Sequence, residues 1–127
     1  PIRIHGFSME PAYRDGGVNL VNSLAYTWRK PARGEVVAVK TTGWHIMYLK
    51  RIIGLPGETV SIEKGIVVID GKPLDEPYVK QREPWELAPI ELEPDRYLVI
   101  GDNRSMDQRL HWFDVVSLNK IAGKVLW

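Results

Sequence analysis

The sequence predicts a mainly β domain of antiparallel sheets, a partly open barrel with little helix. Three observations carry that prediction. Short runs rich in Val and Ile, each of strand rather than helix length, recur along the chain. Between them stand turn clusters such as Leu55-Pro56-Gly57-Glu58 and Asp70-Gly71, the latter a strong hairpin signal. Only residues 23–29 and 116–121 offer even a turn or two of helix.

Taken in order, residues 1–7 read as an extended entry, and Ser8 sits in a short turn. Tyr13-Arg14-Asp15-Gly16-Gly17 is a turn cluster, and residues 18–24 have the apolar, β-branched content of a strand. Pro31 and Gly34 interrupt the pattern before a second strand at 35–40. Residues 45–53 form a third, whose alternation places Ile46, Tyr48 and Lys50 on one face and turns Arg51 the other way, to the surface or into an ion pair. Short strands follow at 59–63 and 65–70. Residues 72–96 hold five of the nine prolines and many charges, so they read as a loop-rich cap carrying Tyr78 and Trp85. A buried-type strand at 97–100 feeds Gly101-Asp102-Asn103-Arg104, and residues 120–127 close the chain as a last strand.

With 127 residues the chain suits one domain spanning 1–127, with the 72–96 excursion, rather than two. Seventeen basic against sixteen acidic residues give a net charge of +1, which supplies no electrostatic reason to expect nucleic acid as a partner. The absence of cysteine excludes disulfides and thiol catalysis and leaves the redox compartment open. No run approaches the roughly 18 apolar residues that span a bilayer, so the chain reads as soluble as given.

The chemistry-bearing residues fall in three ordered stretches: Ser8-Met9-Glu10-Pro11, Lys50-Arg51-Ile52-Ile53-Gly54-Leu55-Pro56-Gly57-Glu58 and Gly101-Asp102-Asn103-Arg104. Each has a plain alternative. A serine in a turn usually bonds neighbouring backbone, Lys50-Arg51 could be two solvated charges at a strand end, and Asp102 with Arg104 an exposed ion pair in a loop. Acyl transfer, however, needs a nucleophile, a base and oxyanion donors. Lysine, with an ordinary pKa of about 10.4, becomes a base when burial among apolar groups disfavours its charged form. Lys50, flanked by Tyr48, Leu49, Ile52 and Ile53, is the lysine best placed for that desolvation.

Together these motifs resemble the type I signal peptidase family of serine–lysine proteases, over nearly the whole chain from about Ile4 to the C-terminus. Gly34-Glu35-Val36-Val37 is close to that family's Gly-Asp-Val-Val. The resemblance implies Ser8 as nucleophile, Lys50 as general base and the Ser8 backbone N–H as oxyanion donor; Gly6 stands where some members have a serine hydroxyl. It implies small-residue pockets shaped by Ile4, Met9, Tyr48 and Leu49, cutting after Ala-x-Ala in exported preproteins; plain core packing is the competing account of Ile4 and Leu49. The family pattern continues beyond Arg104 with Ser, Asp and Arg, and here the chain departs from it. A two-residue deletion aligns Ser105 with the lysine-orienting serine, Asp107 with the aspartate and Arg109 with the arginine. An ungapped alignment keeps the distance to Phe113 and puts Asp107 in the serine's place. Ser105 is the preferred partner of Lys50, since a hydroxyl holds an amine without raising its pKa as a carboxylate would. Asp102 and Arg104 are expected to pair with one another and, with Asp107, to brace the site.

The resemblance further implies signal peptides of preproteins as partners, a membrane surface for the full-length protein, an extracytoplasmic catalytic domain and no cofactor. Family members carry membrane helices before the serine motif, whereas this chain starts at Pro1, seven residues ahead of Ser8, so a fragment lacking its anchor is expected. Trp28, Trp44 and Trp85 lie in polar or turn-rich stretches and could sit at a membrane interface or anchor loops internally. His5, His45 and His111 allow a rival Ser–His–Asp site, which would leave the Lys50 motif unexplained, and none has a zinc-like second ligand, so no metal is assigned. Other readings are a self-cleaving or dedicated-substrate Ser–Lys peptidase, or a non-catalytic β-barrel binding module. The one Ala-Gly, Ala122-Gly123, lies downstream of Ser8, against self-cleavage upstream of it.

Overall fold

Twelve strands organise the described residues. The computed structural model describes residues 2–3, 9–10, 13, 17–40, 47–106 and 113–126. The strands are β1 (Ile2–Arg3), β2 (Val18–Asn19), β3 (Val21–Asn22), β4 (Val36–Lys40), β5 (Met47–Gly54), β6 (Thr59–Glu63), β7 (Ile66–Ile69), β8 (Lys72–Pro73), β9 (Leu87–Glu91), β10 (Arg96–Ile100), β11 (Asp114–Ser117) and β12 (Ile121–Val125). Among the described residues the helix is a single 3-10 turn, Leu118–Lys120. Strand makes up about 49% of the structure and helix 3%, in antiparallel sheets that do not close into a barrel, as the sequence predicts.

A six-stranded sheet in the order β11-β10-β5-β4-β12-β3 holds the candidate site, and β5 lies at its centre. Val37 pairs with Lys50 and Val39 with Tyr48 across β4 and β5, and Val99 with Ile52 across β10 and β5. Because alternate residues face opposite sides, β4 feeds two cores. Val37 and Val39 join Ile52, Tyr97, Val99, Val116 and Ile121 on one side, while Val36 and Ala38 join Met9, Leu49 and Val125 on the other. Burial on both faces explains why β4 reads as an unbroken apolar run.

A four-stranded sheet, β8-β7-β6-β9, packs onto the first. Its Val60, Ile62, Val67 and Ile69 meet Ile53, Leu98 and Ile100 in a third core. Each such side chain stabilises the fold by about 1.5–3 kcal/mol through burial alone. The β7–β8 hairpin turns at Asp70-Gly71, both with φ > 0 (49° and 81°), which is the two-residue turn that the Asp-Gly pair favours. Between β1 and β2 the chain makes a separate two-stranded ladder, Ile2 with Asn19 and Arg3 with Val18.

Several expectations shift. Residues 18–24 give two two-residue strands, β2 and β3, rather than one. The predicted helical turns at 23–29 are non-helical turns, and 116–121 contains only the 3-10 turn, after the unanticipated strand β11. The 72–96 excursion is more ordered than a loop: β9 completes the four-stranded sheet, and Glu76, Val79, Trp85 and Leu92 are buried. Pro89 conceals that strand in the sequence, yet β9 is an edge strand, where a missing backbone donor is tolerated. Trp85 anchors the interior, whereas Trp28 is 92% exposed; Trp44 lies outside the described residues.

Candidate active site

Alternation along β5 sends Lys50 to the Tyr48 side and Leu49 and Arg51 to the other. Lys50 is buried, 5% exposed, although it is a lysine. With Tyr48, Val39, Val99 and Val116 it lines a cavity of about 280 Å³, whose rim carries Lys40, Arg96, Asp114 and Lys120. Burial among these walls lowers the amine's pKa to about 8. That is the direction a neutral, proton-accepting amine requires.

Arg51 turns away, as expected, and enters an ion pair. Its Nε and Nη2 donate to Asp102 Oδ1 and Oδ2 at 2.8 and 2.5 Å, and Nη1 to the Gly34 carbonyl at 2.8 Å. Asp102 and Arg104 therefore do not pair with one another, which corrects the sequence reading. Arg104 instead donates through Nη1 and Nη2 to Glu76 Oε1 and Oε2 at 3.2 and 2.6 Å, and through Nε to Gly101 O at 2.8 Å. The residues on either side of Asn103 are thus each claimed by a more distant partner. Bidentate guanidinium–carboxylate geometry, which a pair two residues apart in a turn cannot readily make, gives the physical reason.

Ser8, Ile4, Gly6, Asp107, Arg109 and the three histidines lie outside the described residues. The neighbour of Ser8 is placed: Met9, 2% exposed, shares a core cluster with Leu49 and Ala38, and its sulfur accepts the Asp102 backbone N–H at 3.3 Å. The chain beside the serine, the strand of the lysine and the Gly101–Arg104 loop are therefore mutually packed. Of the predicted pocket residues, Tyr48 faces the Lys50 cavity, while Met9 and Leu49 belong to the core on the opposite side of β5. Ser105 is not brought to Lys50. Its hydroxyl donates to Asn103 Oδ1 at 2.6 Å, and it lines a separate polar cavity with Glu10, Lys80 and Gln81. Phe113 packs against the core between the sheets.

Sequence reasoning missed Glu76. It lies in a segment read as loop, and no spacing relates it to Arg104, 28 residues on. Its side chain is wholly buried. Nor does the sequence give Tyr78 a role. Its hydroxyl donates to Glu76 Oε2 at 3.1 Å, and its ring lies 4.0 Å from the Arg51 guanidinium.

Among the described residues no helix is long and apolar enough to cross a membrane. The family model described as signal peptidase, peptidase S26, matches residues 1–127. A probable signal peptidase I-2 of Synechocystis sp. is 37% identical over 123 residues, 92% of this chain and 56% of the relative. A signal peptidase I of Leptolyngbya laminosa is 31% identical over 127 residues, 94% of this chain and 63% of the relative. This chain thus spans roughly three fifths of the length of these two relatives. Among solved structures, a signal peptidase I from Enterococcus faecalis superposes with a TM-score of 0.60 at 26% identity, covering 76% of this chain and 97% of that one. The matched length, the shared sheet architecture and the motif around Lys50 agree: the chain belongs to the signal peptidase S26 family.

Proposed function

We propose that this domain is a serine endopeptidase that removes signal peptides from exported preproteins, with Ser8 attacking the scissile carbonyl and Lys50 taking its proton. The observation that carries the reading is the burial of Lys50 in an apolar-walled cavity, with its pKa lowered to about 8. A desolvated amine is a competent base near neutral pH, and a buried lysine is costly to keep without such a use. The Ser8 backbone N–H would receive the oxyanion. Tyr48, with Ile4, would bound pockets admitting small side chains such as those of Ala-x-Ala, while Met9 and Leu49 would support them from the core on the other side of β5. Asp102, Arg104 and Asp107 would brace the loop that carries Ser105, whose hydroxyl goes to Asn103 rather than to the amine. One domain over 1–127 would hold all these groups.

The test is covalent. Incubation with a serine-reactive penem is expected to yield one adduct per chain, mapping by mass spectrometry to the peptide containing Ser8 and disappearing in Ser8→Ala. A folded protein that forms no adduct, as a binding module would, sinks the reading.

Location at a membrane surface, with the catalytic domain extracytoplasmic and anchored in the full-length protein, belongs to the same proposal. Trp28 (92% exposed) and Leu24 (70% exposed) supply apolar groups suited to an interface. Trp28→Ser is expected to weaken cosedimentation of the domain with phosphatidylglycerol vesicles several-fold; unchanged binding removes Trp28 from that role.

A further inference from the structure

The Gly101–Arg104 loop is held from outside by the excursion that the sequence presented as a cap. Glu76 accepts both Arg104 contacts and the Tyr78 hydroxyl, and Arg82 approaches it at 3.7 Å. Glu83 N–H donates to the Arg104 carbonyl at 2.8 Å, so backbone as well as side chain joins the two segments. From Arg104 the connection runs to the Gly101 carbonyl, where β10 ends, and from Tyr78 through its ring to Arg51, the residue after Lys50. Ile100 is paired with Arg51 across β10 and β5, and Val99, the residue before it, walls the Lys50 cavity.

We propose that Glu76 is a positioning residue for the candidate reaction: through Arg104 it holds the end of β10, and through Tyr78 the Arg51 side chain of β5, keeping the two strands together beside Lys50 so that the amine stays buried. The proposal rests on the peptidase reading for its purpose, though not for its test. Glu76 does not itself line the cavity. Among the described residues, the charged and titratable groups that line the cavity with Lys50 are Lys40 on β4, Tyr48 on β5, Arg96 on β10, Asp114 on β11 and Lys120 in the 3-10 turn. Neutralising Glu76 therefore reaches the amine through the loop rather than by direct Coulomb interaction. Loosening the clamp lets the end of β10 part from β5, admits water beside Val99 and returns the amine toward its solvated behaviour.

The experiment is an NMR titration of the Lys50 ε-carbon in protein carrying 13C-lysine, with the resonance assigned by its absence in Lys50→Met. The wild-type midpoint is expected near 8. In Glu76→Gln it is expected to rise by about 0.5–1 pH unit as the amine regains solvation. Tyr78→Phe keeps the ring over Arg51, loses the hydroxyl contact and should move the midpoint the same way by less. Val67→Ala, a core truncation in the four-stranded sheet, should lower the melting temperature without moving it. In the peptide-cleavage assay Glu76→Gln should lower kcat about tenfold with KM within about twofold, the pattern of a group acting on the chemical step. Should Glu76→Gln not fold, the Tyr78→Phe titration decides. Folded variants that titrate with the wild type overturn the proposal. A wild type that cleaves nothing overturns the peptidase reading instead, while the titration still decides the clamp.

Discussion

Lys50→Met is expected to lower cleavage of a preprotein with an Ala-x-Ala signal about 10²–10⁴-fold, the usual contribution of positioned proton transfer, and at the same time to make the domain more stable. Methionine has similar length and no charge to desolvate. The wild-type amine titrates at about 8 when folded and near 10.4 in the unfolded chain. Between those values the unfolded state binds more protons, so stability rises with pH through this window. Below pH 8 the native state carries the whole penalty, on the order of 3 kcal/mol at 1.36 kcal/mol per unit. Guanidinium denaturation at pH 7 and pH 10.5 checks this: the wild type should gain stability at the higher pH relative to Lys50→Met, and the variant should be the more stable at pH 7. Wild-type cleavage should rise with pH through about 8 as the amine becomes neutral. A Lys50→Met protein that cleaves as well as the wild type removes the lysine from the mechanism, and a wild type whose cleavage is flat across that range removes the neutral-amine argument.

What made Lys50 legible was local. Alternation along one strand fixes which neighbours share its side, and Tyr48 does line the same cavity, while Arg51 leaves in the opposite direction to an ion pair. The hairpin at Asp70-Gly71 was legible for the same reason, since two adjacent residues with positive φ determine it. The mistaken side-chain pairing arose where partners come from distant parts of the chain. Asp102 finds Arg51 across 51 residues and Arg104 finds Glu76 across 28, so proximity in the motif suggested a pair that folding does not make. β9 was hidden by Pro89, which disqualifies a central strand but not an edge. Ser105 shows the limit of motif alignment: it fixes an order of residues, and the structure turns that hydroxyl to Asn103.

The buried pair gives the second large effect. Arg104 is 1% exposed and makes three donor contacts, two to Glu76 and one to the Gly101 carbonyl. Arg104→Met removes all three and leaves the buried Glu76 carboxylate with the Tyr78 hydroxyl and Arg82 at 3.7 Å. Removing one partner of a buried ion pair costs about 3–5 kcal/mol, because the remaining charge stays desolvated. For a domain of this size that lowers the melting temperature by about 10–20 °C, to be read by calorimetry. Replacing both members, Arg104→Met with Glu76→Leu, should restore most of that stability, since well-packed apolar substitutes for a buried pair are often neutral. Cleavage should not return with it, because the Gly101 carbonyl and Tyr78 still lack the contacts that hold the end of β10 and the Arg51 side chain in place. A double variant as unstable as Arg104→Met would show that the cost is lost packing rather than an uncompensated charge, and one restored in both stability and activity would show that the pair serves the fold alone.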